Sequence, residues 1–226
     1  LRGRDGRSTI EQAGIVRECD QPFVEALRAV MTEYHSPIVE GLPRFTGGAV
    51  GYLGYDSVPW FEPKLAKSWT DGPEADDGAS DDAVFMLFDT VLAFDHVKHR
   101  ILIIANARVA SDEPLESLYQ FACAKIRFLE GELERTLSRP GTLNVEPSVV
   151  NSNISQEGFE DAVLRAKRHI SEGDIFQVVL SQRFQTQLNA DAFSVYRALR
   201  HVNPSPYMYF MRLGDTAIAG SSPEML

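Results

Sequence analysis

Two β-rich runs, Val84–Phe94 and Arg100–Val109, are separated by only the short stretch Asp95–His99. A link that short joins antiparallel neighbours and cannot hold the crossover that parallel strands need. A second pair, Tyr207–Leu213 and Thr216–Ser221, turns at Gly214-Asp215 in the same way. The helical patterns fall in runs of their own. Gln21–Tyr34 repeats Phe23, Leu27, Val30, Met31 and Tyr34 at helical spacing, with Asp20 available as N-cap and Pro22 in the first turn. Leu115–Leu137 carries one stripe, Leu115, Leu118, Tyr119, Ala122, Ile126, Leu129 and Leu133, which reads as core packing. Ser155 can cap a helix with inner face Phe159, Ala162, Val163, Ala166 and Ile170, and Gly173 stops it. A short helix is expected from Asp191 to about Arg200. Hairpins and helices in separate runs predict an α+β fold of antiparallel sheets rather than a doubly wound parallel one.

Ser138–Asn153 holds two prolines and a glycine and loses periodicity, so it reads as a linker between a lobe at 1–137 and a second at 154–226. Gly47–Asp56 (GGAVGYLGYD) lacks the glycine spacing and following helix of a dinucleotide fingerprint. A strand whose glycines permit close backbone approach, ended by Trp60 and Phe61 between prolines, is the better reading. Ile175 to about Leu188 reads as a strand, with Phe176, Val178, Leu180 and Phe184 on a core face and Ile175, Gln177, Val179, Ser181 and Arg183 on a half-polar one.

Charge and composition remove several function classes. The net charge is −10, and six acids fall in Asp71–Asp82 with no base among them. That window reads as a solvated, mobile loop rather than a metal site. No basic stripe interleaved with aromatics is present, which argues against a nucleic-acid partner. No apolar run approaches the ~20 residues a membrane span needs. The N-terminus has no apolar core and is not a secretory signal; it also lacks an initiator Met, so residues upstream are expected. Cys19 and Cys123 lie far apart and read as the reduced thiols of a cytoplasmic protein. His96 and His99 sit at a turn without metal-ligand spacing and are expected to face solvent.

Four segments then carry a resemblance: GGAVGYLGYD at 47–56, GDIFQVVLSQRF at 173–184, NPSPYMYF at 203–210 and AGSSPEML at 219–226. Together and in this order they resemble anthranilate synthase component I, the chorismate-using subunit of tryptophan biosynthesis, over essentially the whole chain. The resemblance implies a sandwich of antiparallel sheets with helices packed outside, part of which this chain would supply. It implies that chorismate and ammonia yield anthranilate and pyruvate, that a glutamine amidotransferase subunit (component II) delivers the ammonia, and that L-tryptophan inhibits. Gln177 matches the position where relatives that add water to chorismate carry a lysine base; an amide suits ammonia because it donates and accepts hydrogen bonds without deprotonating water. Glu224 matches the carboxyl that acts as general acid toward the departing C4 hydroxyl, a task that requires a raised pKa. Pro206, Tyr207 and Met208 match the segment that closes over tryptophan, where a proline-fixed turn and an apolar, polarizable wall would meet an indole.

The sequence also departs from the family pattern. The Leu-Leu-Glu-Ser-type run of the inhibitor site is absent, as are the Gly-Thr turn that meets the substrate carboxylate and the glutamates that hold Mg2+ in the complete enzyme. The expectation is an N-terminal portion of the enzyme, catalytically incomplete, with half a tryptophan site and no metal bound. Such a piece should expose an apolar patch and associate. Three alternatives stand beside this reading. They are the same-fold aminodeoxychorismate synthase of folate synthesis, an isochorismate or salicylate synthase (disfavoured by Gln177), and a non-catalytic tryptophan-binding module.

Overall fold

Arg2–Cys19 folds as a three-stranded meander that the sequence pattern does not announce: β1 (Arg2–Arg4), β2 (Arg7–Gln12) and β3 (Ile15–Cys19). Gln12 pairs with Ile15 across a two-residue turn at Ala13-Gly14 in which both φ are positive, the geometry that matches strand twist. The computed structural model describes residues 1–4, 6–66, 81–109, 113–135 and 149–222. It divides into two compact units, Leu1–Ser138 and Arg139–Leu226.

In the first unit the meander is followed by α1 (Phe23–Thr32), β4 (Gly48–Leu53), the short α2 (Val58–Phe61) and β5 (Ala83–Phe88). The strands form one antiparallel sheet in the order β3-β2-β1-β5-β4. Its core gathers Leu1, Phe23, Ala26 and Ala83, with Phe23 ringed by Trp60 at 5.5 Å and Phe85 at 6.0 Å between centroids. Burying Phe23 alone contributes roughly 1.5–3 kcal/mol. Asp20 does not cap α1. Pro22 holds the cap position in an extended conformation, and its carbonyl accepts the Ala26 N–H at 2.9 Å. A residue with no N–H and a fixed φ suits that place, and it leaves Asp20 two residues short of the orphan amides.

The run Val84–Phe94 is not one strand. It breaks at Asp89 into β5 and β6 (Thr90–Asp95), which belong to different sheets. β6 pairs with β7 (Arg100–Ala105) as the expected hairpin. At its turn the Asp95 carboxylate accepts the N–H groups of Val97 and Lys98, and both histidines are exposed. The second strand stops at Ala105, before Val109; Asn106 closes the pairing with its main-chain N–H on Asp89 O at 2.7 Å, and its side-chain amide donates to Thr46 O at 2.7 Å and Asp89 O at 3.1 Å. The acidic window mostly lies outside the described residues, but its end is not solvated loop. Asp81 accepts Arg2 at 2.7 Å and the Tyr52 hydroxyl on its carbonyl at 2.8 Å, and Gly54 N–H donates to Asp82 O at 2.6 Å. Helix α3 (Leu115–Glu134) packs on β7 with Leu118, Ala122, Ile126 and Leu129 half-buried, while Leu115, Tyr119 and Leu133 of the same stripe stay exposed.

The junction at Asp89 also sets an acid sensitivity. The Lys125 ammonium reaches its carboxylate at 2.6 Å and the Thr90 hydroxyl at 2.7 Å, and these hydrogen bonds, Lys125 foremost, hold the Asp89 carboxyl below its ordinary value. A depressed folded-state pKa means stability that is present above the unfolded value of about 3.9 and is lost as pH falls through the folded one. Thermal melts of the chain and of Asp89→Asn at stepped pH should therefore converge on acidification. A constant gap between the two at every pH would remove this role.

The second unit holds β8 (Asn151–Ser152) paired with β9 (Phe184–Gln185), α4 (Gln156–Glu172) between them in the chain, then α5 (Ala192–Val202) packed on the hairpin β10 (Tyr207–Leu213) with β11 (Thr216–Ser222). Ser155 caps α4 as expected, its hydroxyl accepting the Gly158 N–H at 3.1 Å. Phe159, Ala162, Val163 and Ala166 are half-buried, whereas Ile170 is exposed. The strand expected from Ile175 to Leu188 shrinks to the two residues of β9. Phe176, placed on the core face by its alternation, is 93% exposed, and Val178, Leu180 and Phe184 are exposed too. A strand is a paired object, the chain bends at Phe176, and no partner strand for 175–182 stands among the described residues. We expect the chain to bind an apolar dye and to gain mass with concentration in light scattering. A fixed monomer mass without dye binding would contradict this.

Candidate functional site

The hairpin β10–β11 places two of the motif segments side by side. Tyr207 pairs with Ser222 and Met208 with Ser221, so Pro206–Met208 runs directly along the strand that leads into Pro223 and Glu224. Side chains reinforce the pairing. Ser205 donates to Ser222 O at 2.7 Å, and Ser221 donates to Asn203 O at 2.8 Å. The Asn203–Pro206 turn is thereby pinned to the end of β11 from both sides. Glu224 itself lies outside the described residues.

Tyr207 and Met208 are consecutive in a strand and leave its opposite faces. On Met208's face, Phe210 sits edge-on to Phe193 of α5 at 5.3 Å and against Tyr196 at 5.6 Å. On the other face, the Tyr209 ring lies over its cross-strand partner Gly220, where a Cβ would come within 2.1 Å of the ring. A ligand on one face would meet Tyr207 or Met208 and not both; Pro206 and Tyr207 are exposed and Met208 is half-buried. Helix α5 packs on the hairpin through the Phe193, Tyr196 and Phe210 rings, and a local cap fixes its start. Asp191 accepts the N–H groups of Phe193 at 2.9 Å and Ser194 at 3.2 Å and the Ser194 hydroxyl, and these bonds, that hydroxyl foremost, lower its pKa.

Gln177 lies on the unpaired stretch after Gly173, exposed, and no hydrogen bond joins it to the hairpin among the described residues. The structure thus brings Pro206–Met208 alongside the strand that leads toward Glu224.

One feature of the first unit is absent from the expectations drawn from sequence. The register sets Arg2 opposite Thr9 and Arg4 opposite Arg7, and with Asp81 these residues line an open concave surface of about 540 Å3. The three arginines at alternate or paired positions in LRGRDGR were the available signal.

A family model described as chorismate binding enzyme matches residues 5–226. The chain belongs to the chorismate binding enzyme family. Within that family it is similar to anthranilate synthase component 1 of Acetivibrio thermocellus, 41% identical over 223 residues, covering 96% of this chain and 44% of that protein. The component 1 protein of Pseudomonas aeruginosa is 37% identical, covering 100% of this chain and 46% of the relative. The crystal structure of anthranilate synthase component I from Streptococcus pneumoniae TIGR4 superposes with a TM-score of 0.68 at 30% identity, covering 99% of this chain and 49% of that one. The chain spans about half the length of these relatives. The expected α+β architecture holds for this chorismate binding family member, with antiparallel sheets that are small and open. Among the described residues no helix is long and apolar enough to cross a membrane.

Proposed function

We propose that the protein carrying this chain is the chorismate-using component of an anthranilate synthase, a lyase that takes chorismate and ammonia to anthranilate, pyruvate and water. The family match over residues 5–226 is the observation that carries the reading, supported by relatives named as anthranilate synthase chains. Glu224 serves as the general acid that protonates the departing C4 hydroxyl. Gln177 orients ammonia through its amide, accepting an N–H and leaving the nitrogen lone pair for the ring. Pro206, Tyr207 and Met208 form the arm that meets tryptophan, the ligand lying on one strand face and so against either Tyr207 or Met208, and its arrival would pull on the main chain leading to Glu224. The name component 1 supports a second subunit, for which a glutamine amidotransferase is the chemical fit, and the biosynthetic role supports a cytoplasmic location.

Magnesium, which would supply a tether for the substrate carboxylate, finds no fitting residues among those described. The one group of three metal-capable side chains among them includes an imidazole, a donor that a hard oxygen-seeking cation does not choose.

The test is continuous anthranilate fluorescence with chorismate and ammonium, on the protein expressed from the reading frame that encodes this chain. Turnover that L-tryptophan suppresses is the expected result. Turnover indifferent to tryptophan would remove the inhibitor role of 206–208. Tryptophan binding without any turnover would favour the non-catalytic module.

A further inference from the structure

We propose that His169, Glu172 and Asp174 form a surface site for a divalent transition-metal ion of the zinc, cobalt or nickel type. Their ligand atoms all lie within 4.8 Å of one another, and they are the only such group among the described residues. His169 Nδ1 stands 2.9 Å from Asp174 Oδ2, with both side chains more than half exposed. Two ligands held about 2.0–2.2 Å from one zinc ion stand roughly 3.3–3.6 Å apart, so a small opening of this contact admits the ion. The imidazole separates the group from an ordinary solvated run of acids. Nitrogen with carboxylate oxygen is a donor set that suits zinc-like cations and not magnesium or calcium.

The backbone holds this arrangement in place. His169 and Glu172 are three apart at the end of α4 and share a face. Gly173 then takes a left-handed conformation, φ 83°, and the Asp174 N–H returns to His169 O at 3.0 Å. That closure folds Asp174 back over the imidazole. A side chain on Gly173 would strain it.

Electrostatics independently favours a cation. The C-terminus of a helix carries the negative end of the macrodipole, and at α4 two carboxylates crowd it with His169 as the only basic residue of the last turn. Negative charge at that end is unfavourable, and a bound cation reverses the sign of the interaction. With three protein ligands, water fills the remaining positions. The ion would tie the end of α4 to the first residues of the Gly173–Phe184 segment, independently of the chorismate reaction.

The experiment is cobalt(II) titration of this chain, followed by visible absorption and by histidine side-chain NMR, with far-UV circular dichroism to confirm each variant's fold. One equivalent should bind with paramagnetic shifts centred on His169. His169→Ala and Asp174→Asn should each weaken binding tenfold or more, and a His96→Ala/His99→Ala double variant should bind as the parent does. Because the three ligands are exposed, these changes leave the fold intact. Absence of saturable binding below about 1 mM overturns the site, as does unchanged affinity in both single variants. A sulfur-to-cobalt absorption band would place the ion on Cys19 or Cys123 and overturn it as well.

Discussion

Gly51→Ala should cost the first unit about 3 kcal/mol or more, the upper end for overpacking a filled site. A Cβ at Gly51 would fall 1.8 Å from Val84 O and 2.7 Å from Phe85 Cα. Both are backbone atoms of β5, so no rotamer change relieves the clash. Nor can β5 step aside. It is held between β1 and β4, and Ala83 and Val84 are buried at 0% and 4% exposure. Gly131→Ala in α3 is the matched control. Nothing lies within 4 Å of its Cβ position, and alanine in a helix interior gains roughly 0.5–1 kcal/mol over glycine. Urea unfolding followed by circular dichroism should move the two midpoints in opposite directions. Equal midpoints would mean that the sheet is looser at β4–β5 than its register implies.

Glu224→Gln should lower chorismate turnover roughly a hundredfold to ten-thousandfold in the protein expressed from its own reading frame, the range typical of a lost general acid. The amide keeps the shape of the side chain and removes the proton that the C4 hydroxyl needs to leave as water. Substrate binding should therefore persist, so kcat falls while KM moves little. A variant with full kcat would assign the acid to another group, and a rise in KM alone would make Glu224 a binding residue. Ser221→Ala is the useful companion, because it loosens the Ser221–Asn203 bond that pins the turn before Pro206 without touching the carboxyl.

Hairpins and capped helices were legible from residues because each carries its own local signature. The Gly214-Asp215 turn fixes the register that sets Met208 against Ser221, and with it the neighbourhood of Pro206–Met208 and the approach to Glu224. Ser155 and Gly173 bracket α4 through bonds made within a few residues of each end. The β1–β3 meander was not legible. Ile10, Ile15 and Val16 are its only large apolar residues among arginines, glutamates and small ones, and what stands over Gly3 is Phe23 with Trp60 beside it, residues outside those strands. The split at Asp89 depends on Lys125 and Asn106, distant in sequence. Ile175–Phe184 shows the opposite failure. Its alternation and β-branched content are real strand preferences, yet pairing and burial are properties of two segments, and the described residues supply only one. The resemblance rests on chemistry-bearing motifs rather than on pairing, so it does not depend on that strand. The family match covers this stretch whether or not it is paired.

The most direct test of the proposed activity is the position of nitrogen in the product formed from chorismate and isotopically labelled ammonium. The label should appear in anthranilate, on the ring carbon beside the carboxylate, with one pyruvate released per turnover. Label on the carbon that carried the C4 hydroxyl, with pyruvate retained, would identify an aminodeoxychorismate synthase. A hydroxylated product without label would identify an isochorismate-type enzyme. Either of these would contradict the anthranilate reading and the placement of ammonia assigned to Gln177, because the C4 hydroxyl departs in all three reactions.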